Sequence, residues 1–348
     1  MRINDLKLQN FRSFKKKHLE FPAARTVIVG VNASGKSNLL EAIYCLATGR
    51  SLRTSRESEL IQEGASFARV EGQIEDLDGE KTDLLLQVIK SETGGAQKRF
   101  TVNGVGRTLL NFSGHLPAVV FEPEDIQLIL GTPDLRRLYL NNVLSMVSKN
   151  YHRAVLAFDK IRRNRNRVLE GIREGELRLS DLEFWDEKIL EAAPVISQSR
   201  FEFFEFLSSN APGLTFPYRQ SELTLSRMTE YRDREIASAT TLIGPHRDDF
   251  SFEAKAEKSR TRNLAIFGSR GEQRLAVFSL KLLEIEFLKM KLEVIPVLLL
   301  DDIFSELDLR HRQEIVGQLG LGQVILTTTE KDFIRESPLS DGEVLFLD

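Results

Sequence analysis

Val27-Ile28-Val29-Gly30 runs straight into Val31-Asn32-Ala33-Ser34-Gly35-Lys36-Ser37-Asn38, and Leu39-Leu40-Glu41-Ala42-Ile43 follows. A β-branched apolar run, two glycines five residues apart, a Lys-Ser pair and a helical period stand in that order, which is the arrangement of a phosphate-binding loop between a strand and a helix. The chemistry explains the residue types. Glycines let the backbone turn with its N–H groups inward, and the following helix N-terminus adds partial positive charge. Lys36 supplies a full charge for the β- and γ-phosphates, and the Ser37 hydroxyl suits Mg²⁺. Gly30 to Asn38 are thus the expected nucleotide-binding residues, for ATP or GTP. Ala33 within the loop costs little if its φ is negative and is strained if it is positive.

Such a loop needs a carboxylate at the end of a buried strand to hold the metal, and Val297-Leu-Leu-Leu-Asp301-Asp302 supplies two. Adjacent residues at a strand end point in opposite directions. Asp301 is therefore expected on Mg²⁺ and Asp302 on the attacking water. Further upstream, Ser269-Arg-Gly271-Glu272-Gln273 opens a helical stretch. Ser-x-x-Glu is by itself a helix capping box, and Gly271 keeps the helix-start amides accessible to an anion.

Composition sets bounds on the rest. The chain has 348 residues, 41% hydrophobic and 28% charged, with a formal net charge of −3. That length allows one large α/β domain or two smaller ones. The longest apolar run is the seven residues Val294–Leu300, against about 20 for a membrane span. With no apolar leader at Met1-Arg-Ile-Asn and one cysteine, Cys45, in an apolar helical stretch, the expectation is a cytoplasmic protein with no disulfide framework and no membrane contact.

Strand-like alternation covers Ile3–Leu8, His18–Phe21 and Thr26–Gly30, and a helix is predicted over 36–47. Residues 67–104 read as an antiparallel meander turning at Asp76–Gly79 and Glu92–Gly95. From Ile126 to Ser209 the pattern is long helices, with strand character returning near Leu223-Thr-Leu. A helix over 272–291, a strand over 294–300, a helix after Asp308 and a strand over 324–328 complete the reading. The pattern predicts an α/β lobe, 1–119 plus 241–348, split by a helical insertion at 120–240.

These pieces resemble a known family. Ser269-x-Gly271-x-Gln273 ahead of a strand ending Asp-Asp looks like the signature motif of ABC-type ATPases, and Ser305-Glu-Leu-Asp308 resembles their D-loop. Leu8-Gln-Asn-Phe-Arg-Ser-Phe14, Gly49-Arg-Ser-Leu-Arg53, Phe121-Glu-Pro-Glu-Asp125, Gly131-x-Pro-x-x-Arg-Arg137, Arg165-Asn166 and Gly244-Pro-His-Arg-Asp-Asp249 extend the likeness. In order and nearly full length, they resemble the RecF family of bacterial recombination-repair ATPases. The first and last segments are shared with SMC and Rad50-like proteins.

The resemblance implies an ABC-type P-loop ATPase head with an inserted α-helical arm. It implies ATP and Mg²⁺ as cofactors, and an ATP-dependent homodimer in which Ser269 and Gly271 touch the γ-phosphate held by the partner's loop. Lys36, Asp301, Asp302 and Ser269 become the catalytic set. Duplex DNA near single-strand gaps, RecO and RecR become partners, and RecA loading the outcome. Thr327-Thr-Thr329 lies where transporter ATPases carry a switch histidine, which implies slow turnover, and the family reading adds that hydrolysis responds to DNA. A Q-loop glutamine is not evident, leaving Glu122, Glu124 and Gln127 as candidates. A transporter subunit would need Leu-Ser-Gly-Gly-Gln and that histidine. A nuclease of the head-plus-metal-domain kind would need an added acidic domain.

For DNA, Tyr151–Arg173 holds seven basic residues against two acidic ones. At about 100° per residue Arg153, Lys160, Arg163 and Arg167 share a stripe opposite Ala154, Phe158, Ile161, Val168 and Leu169. Arg165 falls among the apolar residues and is expected to pair inside the arm. Lys15, Lys16 and Lys17 form a second patch. Arg12 either joins it or, like its counterparts in Rad50-like heads, approaches the nucleotide.

Overall fold

The computed structural model describes residues 1–54, 56–91, 95–255, 261–302, 322–329 and 342–347. The chain packs as two compact units, Met1–Asp125 with Glu284–Asp348, and Ile126–Leu283. Of the helical part predicted over 120–240, residues 126–240 fall in the second unit, which also takes in 241–283 and the signature turn, whereas 120–125 stay with the first.

Among the described residues, the first unit has two sheets packed about the helix Lys36–Thr48. A six-stranded antiparallel sheet runs Phe14–Glu20, Arg2–Phe11, Phe67–Glu75, Lys81–Lys90, Ala96–Val102 and Val105–Arg107 in spatial order. A five-stranded parallel sheet runs Glu343–Leu347, Arg25–Gly30, Val324–Thr328, Val297–Asp301 and Ala118–Phe121. Its inner strands are continuous apolar runs because both faces of a parallel sheet are covered. The strand predicted over 294–300 begins only at Val297, since Pro296 lacks an N–H to donate; Val297 N donates to Pro117 O.

The helix Lys36–Thr48 lies in the core shared by both sheets, with Leu39, Ile43, Cys45 and Leu46 fully buried. A helix apolar around nearly its whole circumference is an interior helix. Cys45 is a core residue, as its apolar helical setting predicts, and burial pushes its thiol well above the ordinary range. Gly72 is required by close approach: a Cβ there would sit 2.6 Å from Leu46 Cδ1. A side chain ties the two sheets together. The buried Gln323 amide accepts from Ile3 N and donates to Ile3 O, each at 2.7 Å.

The predicted meander forms, turning at Asp76, whose Oδ1 accepts from Asp78 N and Glu80 N. Three predicted features, most of the turn Glu92–Gly95, the D-loop Ser305–Asp308 and the helix after Asp308, lie outside the described residues.

The second unit is built on the helices Pro133–Val147, Lys149–Arg173, Glu183–Asn210 and Leu225–Ser238, with short strand pairings over residues 214–263. The strand character expected at Leu223-Thr-Leu is corrected. Thr224 is an N-cap whose hydroxyl accepts from Arg227 N, so capping outweighs the β-branched preference. Arg165 is wholly buried: Nε donates to Asp186 at 2.8 Å, Nη2 to Glu235 at 2.6 Å and Nη1 to Thr241 Oγ1 at 2.9 Å. Asn166 Oδ1 accepts from Thr241 N and Oγ1. The Arg-Asn pair of the arm is thus a buried polar clamp joining three helices' worth of sequence.

Candidate nucleotide site

The phosphate loop is shaped by its glycines. Gly35 caps the helix at φ 97°, and a Cβ there would lie 2.7 Å from Phe14 Cζ and 2.9 Å from Ser13 Oγ. Ala33 takes φ 65°, so of the two possibilities read from sequence the strained one holds. Lys36 is buried, and its Nζ donates to Gly30 O at 2.7 Å and Val31 O at 2.9 Å. Ser34 Oγ is buried without a hydrogen-bond partner, a polar atom beneath the loop that an oxyanion or its water would satisfy.

Asn32, Ala33, Gly35, Lys36, Ser37 and Asn38 line a cleft of about 420 Å³. Its opposite wall is formed by Asp301, Asp302, Arg53, Pro123 and Glu124. Every wall residue belongs to the first unit. Asp301, at the end of the parallel strand, is held from both sides. Its Oδ1 accepts from Thr327 Oγ1 at 2.7 Å and its Oδ2 from Arg53 Nη2 at 3.1 Å. Asp302 turns to φ 47° while its N–H is directed at Thr327. Left-handed backbone at a non-glycine residue is strain of the kind found at functional sites. Asp301 and Asp302 both line the cleft. The residue set fits a Mg-nucleotide: a lysine and helix-start amides for phosphate, a hydroxyl and a carboxylate for the metal.

Local sequence does not assign every residue of the site. Arg53 closes the Gly49–Arg53 motif, which carries no role by itself, yet its guanidinium spans Asp301 and, at 3.9 Å, Glu122. Of the three Q-loop candidates, Glu124 lines the cleft, whereas Gln127 belongs to the second unit. The segment Thr327–Thr329 carries a hydroxyl that orients Asp301, in place of an imidazole. Arg12 is not among the residues lining the cleft; its guanidinium makes a two-pronged contact with buried Glu41 at 2.7 and 2.8 Å and reaches Glu59 O. Its neighbour Ser13 accepts from Asn38 Nδ2 at 3.0 Å.

In the second unit the signature turn has the capping box in full. Ser269 N donates to Glu272 Oε2 at 2.8 Å, and Glu272 N donates to Ser269 Oγ at 3.3 Å. Those bonds, and Arg262 beside it, hold the Glu272 carboxyl down at about 2. Gly271 is not explained by packing: a Cβ there would meet nothing within 4 Å, and its φ is not positive. Ile266 and Phe267, just before it, are 71% and 64% exposed.

The basic residues are placed as follows. Arg153, Lys160, Arg163 and Arg167 are all exposed on the helix Lys149–Arg173, and Arg165 is not. Lys15 and Lys16 are exposed and Lys17 half-buried on Phe14–Glu20, an edge strand, where lysines also discourage further strand pairing.

Residues 2–342 match the RecF/RecN/SMC N terminal domain family. The chain is 33% identical to the DNA replication and repair protein RecF of Thermomicrobium roseum, covering 99% of this chain and 98% of that one. The chain belongs to the RecF family. To the RecF of Moorella thermoacetica it is 36% identical, with 94% and 90% of the two chains covered. Among solved structures, the recombination mediator protein RecF with ATPγS in the RecFOR pathway superposes with a TM-score of 0.83. That match has 32% identity and covers 95% of this chain and 93% of that one. The RecF fold, an SMC-like α/β ATPase head with a helical part, accounts for both sheets and the arm.

Proposed function

We propose that this RecF-family chain is an ATP-dependent DNA-binding switch of recombinational repair. Gly30 to Ser37 bind ATP, with Ser37 and Asp301 on Mg²⁺, whose charge would offset that of the phosphates. Lys36 exchanges its two loop carbonyls for phosphate oxygens, and Asp302 orients water. A second copy closes over the nucleotide with its Ser269 and Gly271, and the closed pair clamps duplex DNA near single-strand gaps through Arg153, Lys160, Arg163 and Arg167, with Lys15 to Lys17 as a second patch. Hydrolysis is slow, DNA-responsive and reopens the pair. RecO and RecR as partners, and RecA loading as the outcome, follow from family membership.

The observation that carries this reading is Gly271. Ser269 and Glu272 are accounted for by the capping box, but nothing among the described residues requires a glycine between them or two exposed apolar residues before them. A glycine lets a backbone be approached closely from outside, and exposed apolar residues beside it mark an interaction surface. The test is nucleotide-dependent DNA binding. Labelled gapped duplex should bind Asp302→Asn more tightly with ATP than with ADP, and Lys36→Met should lose the difference. Equal affinity with both nucleotides contradicts the proposal.

A further inference from the structure

The turn Gly244-Pro-His-Arg-Asp-Asp249 has no part in the nucleotide cleft, and half of it is structural. Asp248 is fully buried and accepts from Arg200 Nη1, Tyr218 OH and Ser221 N at 2.5–2.7 Å. Asp249 accepts from Arg136 at 2.6 and 3.1 Å and from Arg219 at 3.0 Å. Gly244 has φ 119°. His246 and Arg247 have no such role. They face a second cleft, of about 380 Å³, entirely within the second unit, where Arg137, Arg162 and Arg200 arrive from three separate helices. That volume is in the range of small-ligand sites.

The guanidiniums outnumber the acids. Four arginines line the cleft against two carboxylates, Asp134 and Asp159. Asp134 is bound to Arg137 but its side chain is 86% exposed, at the rim. Asp159 reaches Arg162 only at 3.4 Å. Arg200 spends four of its five N–H donors on Asp248, Pro245 O, Asn141 and Tyr151. Arg162 and Arg247 spend fewer. Among the described residues, Arg162 Nε is buried with no acceptor, and the Arg247 guanidinium makes one hydrogen bond, to Thr241 O at 3.5 Å. His246 Nε2 lies 2.9 Å from Thr241 O, and its Nδ1 is buried without a partner. Burial, with Arg162, Arg247 and Arg137 adding to it, pushes His246 down to about 3, so the ring is neutral. Arg137, Arg162 and Arg247 line the same cleft as this ring, so their charge and the ring's unpartnered nitrogen share one space.

We infer that this cleft is a phosphate-binding site, with Arg162 and Arg247 as its principal donors, Arg137 flanking them and His246 a neutral acceptor for a hydroxyl or bridging water. Arginine forks match phosphate oxygens in pairs. The phosphate has two possible sources, the DNA backbone or a free phosphorylated molecule, and the chemistry recognising them is the same.

Two arms separate them. The first titrates inorganic pyrophosphate calorimetrically into the full-length Lys36→Met chain, which silences the nucleotide loop. It should bind, and adding Arg162→Gln with Arg247→Gln should weaken it at least tenfold, while the two Lys variants at the same positions retain part of it. The second arm measures labelled duplex against salt. A backbone source makes the log–log slope of the double Gln variant shallower by about one for each phosphate it no longer neutralises. Loss of pyrophosphate binding with an unchanged DNA slope assigns the site to a free ligand. Both arms unchanged, in variants whose urea midpoint by Trp185 fluorescence matches the parent, overturns the inference. The DNA arm rests on the proposed function; a parent chain that binds no DNA defeats that proposal and leaves the pyrophosphate arm to decide this one.

Discussion

Replacing Arg165 by methionine tests how the helical unit is held together. The substitution removes three hydrogen bonds, but the consequences are unequal. Asp186 keeps Arg232 at 2.7 Å, and Thr241 keeps Asn166 Oδ1 at 2.7 Å. Glu235, with a side chain 0% exposed, is left, among the described residues, with the N–H of Leu242 at 2.8 Å. One buried, uncompensated carboxylate is therefore the main cost, about 3–5 kcal/mol. With a urea slope of roughly 2 kcal/mol/M, the midpoint should fall by about 2 M. The only tryptophan, Trp185, precedes Asp186 on the same helix, so its fluorescence reports this unit directly. Adding Glu235→Gln should recover at least half of the loss, because removing both partners costs less than stranding one. A midpoint shift under about 0.5 M, or a double variant no better than the single, refutes the reasoning.

Other expectations follow from single residues. Ala33→Gly should stabilise the chain by roughly 0.5–1 kcal/mol, relief of the left-handed backbone being partly offset by unfolded-state entropy; a lower thermal midpoint by circular dichroism would argue against strain at Ala33. Glu272 should titrate near 2 by NMR. Because its carboxyl is held below the ordinary 4.5, its contribution is full above that value and lost as pH falls through about 2; Arg262→Gln should move the midpoint up, and a parent carboxyl titrating at its ordinary value contradicts the capping geometry. Reversing charge at Arg163 and Arg167 should make the salt slope of DNA binding shallower by about two, while an unchanged slope places the DNA elsewhere, with Lys15 to Lys17 next to test.

The parts of the fold readable from sequence are those with strong local periodicity. Val27–Gly30 and Val297–Leu300 read as buried strands because parallel strands are apolar on both faces, and Lys36–Thr48 reads as a helix because its caps and loop are encoded within a few residues. Arg165 is legible as a buried partner-seeker because it breaks the polar stripe of its own helix. What is not legible is pairing across long separations. Arg53 lies 248 residues from Asp301, and no local pattern marks it as that carboxylate's partner. Arg12 sits in a basic cluster by sequence, yet Glu41, on the first helix, takes its charge. The convergence of Arg137, Arg162 and Arg247 on His246 needs separate helices and a turn in register, which no single-stretch reading supplies. Thr224 misleads because a β-branched residue reads as strand until its capping bond is seen.

The central claim is that nucleotide closes two copies of this chain through Ser269 and Gly271. Light scattering of the Asp302→Asn chain without nucleotide, with ADP and with ATP tests it most directly. The expected result is a mass doubling from 39.6 kDa only with ATP, abolished by Ser269→Arg. One mass under every condition, or a dimer indifferent to Ser269→Arg, contradicts it.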